Sequence, residues 1–89
     1  MNDKRDANEA ELVSFWKRCG CIWIPQDRRA GFDGLLVAWS GIYIVEVKNP
    51  AGKNRLTEAE KRCKAEIEST GQAYNIIRTV EEAARLIGR

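Results

Sequence analysis

Eighty-nine residues and 10.1 kDa make one domain, spanning 1–89, with no room for two. A composition of 44% apolar and 31% charged residues, with only seven Gly and two Pro, excludes disordered and low-complexity classes. The 15 basic and 13 acidic side chains leave a net charge of +2, so the balance alone points to no partner.

Residues 1–5 read as a flexible tail. Asp6 and Glu9 have the spacing of a capping box, and Leu12, Phe15, Trp16 and Cys19 form one stripe of a helix over 7–19 that Gly20 closes. Cys21-Ile22-Trp23-Ile24, stopped by Pro25, predicts a strand with both faces at least partly covered. After a polar, basic connection over 26–31, the runs 35–39 and 42–47 flank Ser40-Gly41 and predict a hairpin with a two-residue loop. The segment 49–54 breaks the pattern. Thr57 with Glu60 opens a second helix carrying Ala59, Cys63 and Ile67, and Gly71 ends it. A short strand over 73–77 follows, then a final helix capped by Thr79 with Glu82 and marked by Val80, Ala83, Ala84 and Ile87. The predicted class is therefore α/β, in the order α-β-β-β-α-β-α, with a mixed sheet flanked by helices and a parallel β-α-β crossover.

The absence of histidine removes every Ser-His-Asp and Cys-His mechanism and every His metal ligand. Three cysteines without C-x-x-C spacing predict buried free thiols in a reducing compartment. No apolar run approaches the ~20 residues that span a bilayer, and the charged first residues do not resemble a signal sequence, so a cytoplasmic location and no membrane partner are expected. Catalysis, if any, rests on carboxylates, Lys, Tyr or Cys.

The hairpin gathers such groups. A Ser40-Gly41 turn pairs Trp39 with Ile42, hence Asp33 with Lys48 and Leu35 with Glu46. The side-chain period of two then puts Asp33, Glu46 and Lys48 on one surface, with the two acids diagonal neighbours about 7–8 Å apart at Cα. One divalent cation can bridge carboxylates on that span. Two acids and an ammonium at the end of an aliphatic hairpin are costly unless something neutralises them, although an edge salt bridge that guards the sheet from aggregation uses the same residues.

Gly31-Phe32-Asp33-Gly34, eleven residues, then Glu46-Val47-Lys48 resembles the PD-(D/E)XK nuclease signature. Lys48-Asn49-Pro50, the Gly-containing loop, Leu56-Thr57-Glu58-Ala59-Glu60 and the Thr79-Val80-Glu81-Glu82 helix are similar to the VRR-NUC branch of that superfamily, so the likeness covers nearly the whole chain. It implies that Asp33, Glu46 and the backbone carbonyl of Val47 ligate Mg²⁺ or Mn²⁺, and that Lys48 orients the attacking water and offsets charge on the phosphate. These roles suit a chain without His, because phosphodiester hydrolysis then depends on a metal and a point charge. The pattern departs from the family at Phe32, where Pro is usual, and at Glu60, where many VRR-NUC sequences carry Gln; Glu60 also reads as the capping partner of Thr57.

The resemblance further implies a catalytic glutamate on the first helix. Glu9 shares the inward stripe with Leu12 and Trp16, whereas Glu11 lies about 200° away around the axis. Glu9 precedes Gly20 by eleven residues, a spacing similar to that in archaeal Holliday junction resolvases. Capping with Asp6 competes with that role.

Arg28 and Arg29 before the site, and Lys53, Arg55 and Lys61 after it, are candidate phosphate contacts, while Lys61, Arg62 and Lys64 also read as a solvated helix face. Without a base-reading motif, DNA shape and backbone are the expected determinants. The resemblance implies a homodimeric endonuclease on branched DNA such as four-way junctions, in a bacterial or phage-infected cell. Two other readings stay open: a less selective nuclease on flaps, single strands or nicked duplex, and a non-catalytic DNA-binding or interaction domain. Trp16, Trp23, Trp39 and Tyr43 are available either to the core or to a dimer interface.

Overall fold

The computed structural model describes residues 7–51 and 55–89, apart from the side chains of Ala7 and Arg28; the tail 1–5, Asp6 and Lys53 lie outside the described residues. Its elements are α1 (Ala7–Arg18), β1 (Ile22–Pro25), a 3₁₀ turn (Arg28–Ala30), β2 (Gly34–Ala38), β3 (Gly41–Val47), α2 (Glu58–Ser69), β4 (Tyr74–Ile77) and α3 (Val80–Leu86). The four strands lie side by side in chain order; β1–β2 and β2–β3 are antiparallel, and β3–β4 is parallel. A parallel pair needs a long crossover, which α2 supplies.

The termini of these elements follow their local chemistry. Gly20 and Gly71 adopt positive φ just beyond α1 and α2, as an αL closure requires. Thr57 and Glu60 form a complete capping box: Thr57 Oγ1 accepts from Glu60 N at 3.1 Å, and Glu60 Oε1 accepts from Thr57 N at 2.9 Å. At α3 the box is altered. Thr79 Oγ1 accepts from Glu82 N, but the Glu82 carboxylate reaches one residue further back and accepts from Arg78 N at 2.6 Å.

One face of the sheet carries the core. Leu36, Val45, Val47 and Ile77 are buried there with Leu12 and Trp16 of α1 and Ala83 and Ile87 beside them. Trp16 is fully buried, donates from Nε1 to the Ala83 carbonyl at 3.1 Å, and stacks on Trp23 with centroids 5.6 Å apart. Trp16 and Trp23 thus serve the core, and only Trp39 among the tryptophans is exposed. Of the three free thiols, Cys21 is buried while Cys19 and Cys63 are half-buried.

Two expectations are corrected. The hairpin turns at Trp39-Ser40, because Ala38 pairs with Gly41 and Gly34 with Val45, so the register is shifted by two from the predicted one. Core burial of Leu36 and Val45 permits either register, since a slip of two preserves the faces; a slip of one would have inverted them. Gly41, at φ +151, opens β3 in place of sitting in the loop. Secondly, β1 is an edge strand covered on one face only: Ile22 and Ile24 are 60% and 43% exposed, because α2 packs against β4 at the opposite edge of the sheet. Among the described residues, no helix is long and apolar enough to cross a membrane.

Candidate functional site

The shifted register brings Asp33 opposite Glu46 in place of Lys48, which tightens the predicted acid pair. Asp33 stands just before β2. Its N–H donates to the Val45 carbonyl at 3.0 Å, its carbonyl accepts from Gln26 N at 2.9 Å, and its Oδ2 accepts from Val47 N at 2.7 Å. A strand residue sends its N–H and C=O to the same edge, so the Val47 carbonyl is directed to the Asp33 side of β3.

Two glycines explain why Asp33 sits where it does. Gly31 has φ +91, and a Cβ there would stand 2.6 Å from Cys63 Cβ on α2. Gly34 lies under the Trp23 indole, where a Cβ would meet the ring at 2.5 Å. Tyr74 completes the support by donating its hydroxyl to the Gly31 carbonyl at 2.6 Å. The Gly-Phe-Asp-Gly spacing is therefore a packing requirement of α2 on one side and Trp23 on the other.

Glu46 is 3% exposed, and its carboxyl is pushed up to about 9 by burial first, then by the neighbouring Asp33 charge and by Glu60. It holds a proton at neutral pH. Lys48 Nζ lies 3.4 Å from Glu46 Oε2 and 3.0 Å from Glu60 Oε1. Burial alone would lower the Lys48 pKa, but the hydrogen bond and charge of Glu60, with Glu46, outweigh it and the ammonium is held above its ordinary range. Glu60 is the converse: burial raises it, and Thr57 N, Lys48 and the hydrogen bond from Glu46 more than offset that, leaving it ionised. The cluster is thus a neutral acid, a carboxylate and an ammonium, with Asp33 alongside.

Glu60, which the sequence favours as a capping partner of Thr57 over a site residue, makes both contacts. One oxygen, Oε1, accepts from both Thr57 N and Lys48 Nζ, so the start of α2 and the lysine share an anchor. The departure from Gln was the available signal.

Glu9 is buried and Glu11 is exposed. Glu9 lies on α1, in the layer across the sheet from the Glu46–Lys48 surface, next to Asn8, whose Nδ2 donates to the carbonyls of Lys48 and Arg78 at 2.9 and 3.0 Å. Asp33, Glu46 and Lys48 converge; Glu9 is the chain neighbour of Asn8, which reaches the Lys48 carbonyl. Among the basic candidates, Arg29 is extended into solvent beside Asp27 at 3.2 Å, Lys61 pairs with Glu58 at 3.4 Å, and Arg55 is exposed. Exposed pairs of this kind are worth under about 1 kcal/mol and exchange readily for a phosphate.

No protein-family model matches the chain, and no curated protein matches it. The site therefore has to be read from its chemistry.

Among the described residues no three Asp, Glu, Cys or His side chains form a ready metal cage. The oxygen donors present, Asp33, Glu46 and the Val47 carbonyl, nonetheless suit a hard cation such as Mg²⁺, which commonly takes one or two carboxylates and keeps several waters. A cation would also resolve the burden that now keeps Glu46 protonated beside Asp33.

Proposed function

We propose that this chain is a Mg²⁺- or Mn²⁺-dependent endonuclease of the PD-(D/E)XK type, VRR-NUC branch, acting on branched DNA. The observation that carries this reading is the convergence of Asp33, the buried Glu46 and Lys48 on one sheet face, with a single ammonium set between two carboxyls. Asp33 and Glu46, with the Val47 carbonyl, would hold the cation, which would supply an activated water and charge stabilisation on the phosphate. Lys48, fully charged and fixed by Glu60, stands as the donor toward the developing phosphate charge and not as a base. The exposed Arg29, Arg55 and Lys61 are the described candidates for phosphate-backbone contacts, which suits recognition of shape over sequence.

The test is cleavage of labelled four-way junction, flap, single-stranded and plain duplex DNA with Mg²⁺, Mn²⁺ or EDTA, comparing the native chain with Asp33→Asn and Lys48→Ala. Metal-dependent nicking near the branch, lost by about a hundredfold or more in both variants, is the expected result. Equal cleavage of all substrates replaces the junction assignment with a less selective nuclease. No cleavage, with DNA binding unchanged in both variants, overturns the enzyme and leaves a binding module.

A further inference from the structure

We propose that the end of the sheet farthest from the acids is a second DNA-binding site, where the exposed indole of Trp39 stacks an unpaired base while Arg89 and its basic neighbours hold the strand's phosphates. The choice of DNA rests on the nuclease reading, and the site names the branched DNA concerned, one with an unpaired arm. Three segments of the chain assemble it. Val37 pairs with Ile22 and Ala38 with Gly41, so the start of β1, the end of α1 and the Trp39-Ser40 turn share one end of the sheet. α3 packs beside α1, and Gly88, at φ +85, turns the chain back beyond it, with the Arg89 N–H donating to the Ala84 carbonyl at 2.8 Å. The Arg89 guanidinium thereby lies 5.5 Å from the centre of the Trp39 ring. Its charge also reaches Cys21, where it opposes the burial and the Cys19 neighbour that push that thiol up, so it stands close to the junction of α1 with β1. The turn that carries Trp39 is braced, since Ser40 Oγ and the Tyr43 hydroxyl are hydrogen-bonded at 2.7 Å.

Positive charge is concentrated at this end. Lys17, Arg18, Arg85 and Arg89 are all exposed, and the segments 15–22, 37–43 and 84–89 contain no Asp or Glu. These four cations exceed the whole net charge of +2, so the rest of the chain is acidic on balance. Glu66 and Glu68 of α2 lie on the other face of the sheet, where that helix packs along β4 and against Gly31. A polyanion approaching the chain is therefore drawn to the Trp39 end, whereas the Asp33 and Glu46 end repels phosphate until a cation is bound.

Charge alone would suit an acidic peptide equally, and Trp39 decides between them. It is 64% exposed, so Arg89 leaves most of the indole to solvent. A flat aromatic face beside a guanidinium matches an unstacked nucleotide, whose base lies on the ring while its phosphate meets the cation. In a paired duplex the base faces are already stacked on one another, and exposing one to the ring costs unstacking energy. The site accordingly favours a single strand. Asp33 and Trp39 flank β2 at its two ends, six residues and about 20 Å apart. That span equals about six nucleotides of stacked strand at 3.4 Å each, the length of unpaired arm that engages Trp39 while the branch sits at the acids.

Fluorescence anisotropy of a labelled thymidine oligonucleotide and of a labelled blunt duplex, both in EDTA, tests this with the native chain, Trp39→Ala, Trp39→Phe and Arg89→Ala. Both positions are exposed, so circular dichroism should report an intact fold in every variant. Trp39→Ala should weaken single-strand binding by about tenfold or more and leave duplex binding nearly unchanged, and Trp39→Phe should recover most of the loss. Arg89→Ala should reduce the slope of log affinity on log salt by about 0.7, the share of one phosphate contact on a single strand. Single-strand affinity unmoved by Trp39→Ala, an equal loss on the duplex, or polyglutamate binding as tightly as the oligonucleotide overturns the proposal. Because binding is read without metal, it is judged apart from cleavage. Single-strand binding lost in Trp39→Ala, with no DNA cut by the native chain, keeps this site and refutes the nuclease; flap cleavage with an affinity that Trp39→Ala leaves unmoved does the reverse.

Discussion

Replacing Glu46 by Gln should make the protein more stable at neutral and alkaline pH, and the size of the gain follows from the site. The folded state holds the Glu46 proton up to about pH 9, whereas the unfolded chain releases it near 4.5. Between these values the native state binds the extra proton, so its stability falls as pH rises, by about 1.4 kcal/mol per unit. The contribution is complete below about 4.5 and lost by about 9. From pH 6 to pH 8 the native chain should therefore lose roughly 2–3 kcal/mol relative to Glu46→Gln, whose amide stays neutral and can still donate to Glu60. A domain of this size has a total stability of roughly 4–13 kcal/mol, so the difference is easily read. Urea unfolding at pH 6, 7 and 8 in EDTA, for both proteins, measures it. Parallel pH curves would refute the reasoning, because they would mean that Glu46 is ionised in the fold throughout.

Cation binding should share this proton. Calorimetric titration with Mg²⁺ should give an affinity that rises about tenfold per pH unit between 6 and 8, with proton release to the buffer; a flat profile would place the cation away from Glu46. Gly31→Ala should destabilise the fold by roughly 2–4 kcal/mol in thermal melts, since it adds a Cβ at φ +91 against Cys63 Cβ. Cys63→Ala should not rescue it, because the clash is with a Cβ that alanine keeps. Thr57→Ala should cost about 1 kcal/mol through the lost cap, whereas Glu60→Gln should cost less, keeping the capping acceptor while lowering the Lys48 pKa, as an NMR titration of the Lys48 ammonium would register.

The elements were legible in the sequence because each helix carries its own punctuation: Thr57 with Glu60, Thr79, and the glycines 20 and 71. The convergence of Asp33, Glu46 and Lys48 was legible for a different reason. A two-residue slip of the hairpin leaves every side chain on its face, so the error in the turn did not reach the site. The turn itself was not legible, since Gly41 suits a loop position and the first position of β3 equally. Glu60 was half legible: the capping box announced its contact with Thr57, but its contact with Lys48 depends on how α2 crosses the sheet. Asn8 left no trace, because its two partners, Lys48 and Arg78, are 40 and 70 residues away. The open face of β1 was misread because Cys21-Ile22-Trp23-Ile24 is apolar on both sides, and no local pattern tells a strand with two covers from one with a single cover.

The peptide of Lys48 is held from both ends of the chain. Its N–H donates to the Ile77 carbonyl at 3.1 Å, and its own carbonyl accepts from Asn8. The Asn8 amide simultaneously ties down Arg78, which leads into α3. A growing chain therefore emerges with Asp33, Glu46 and Lys48 already made but not yet fixed in place. The lysine is set only when β4 has docked beside β3 and Asn8 of α1 has reached the Lys48 and Arg78 carbonyls, 30 residues after Lys48 itself. On the nuclease reading proposed above, this ordering means that copies cut short before Arg78 carry the reactive groups without the frame that aims them.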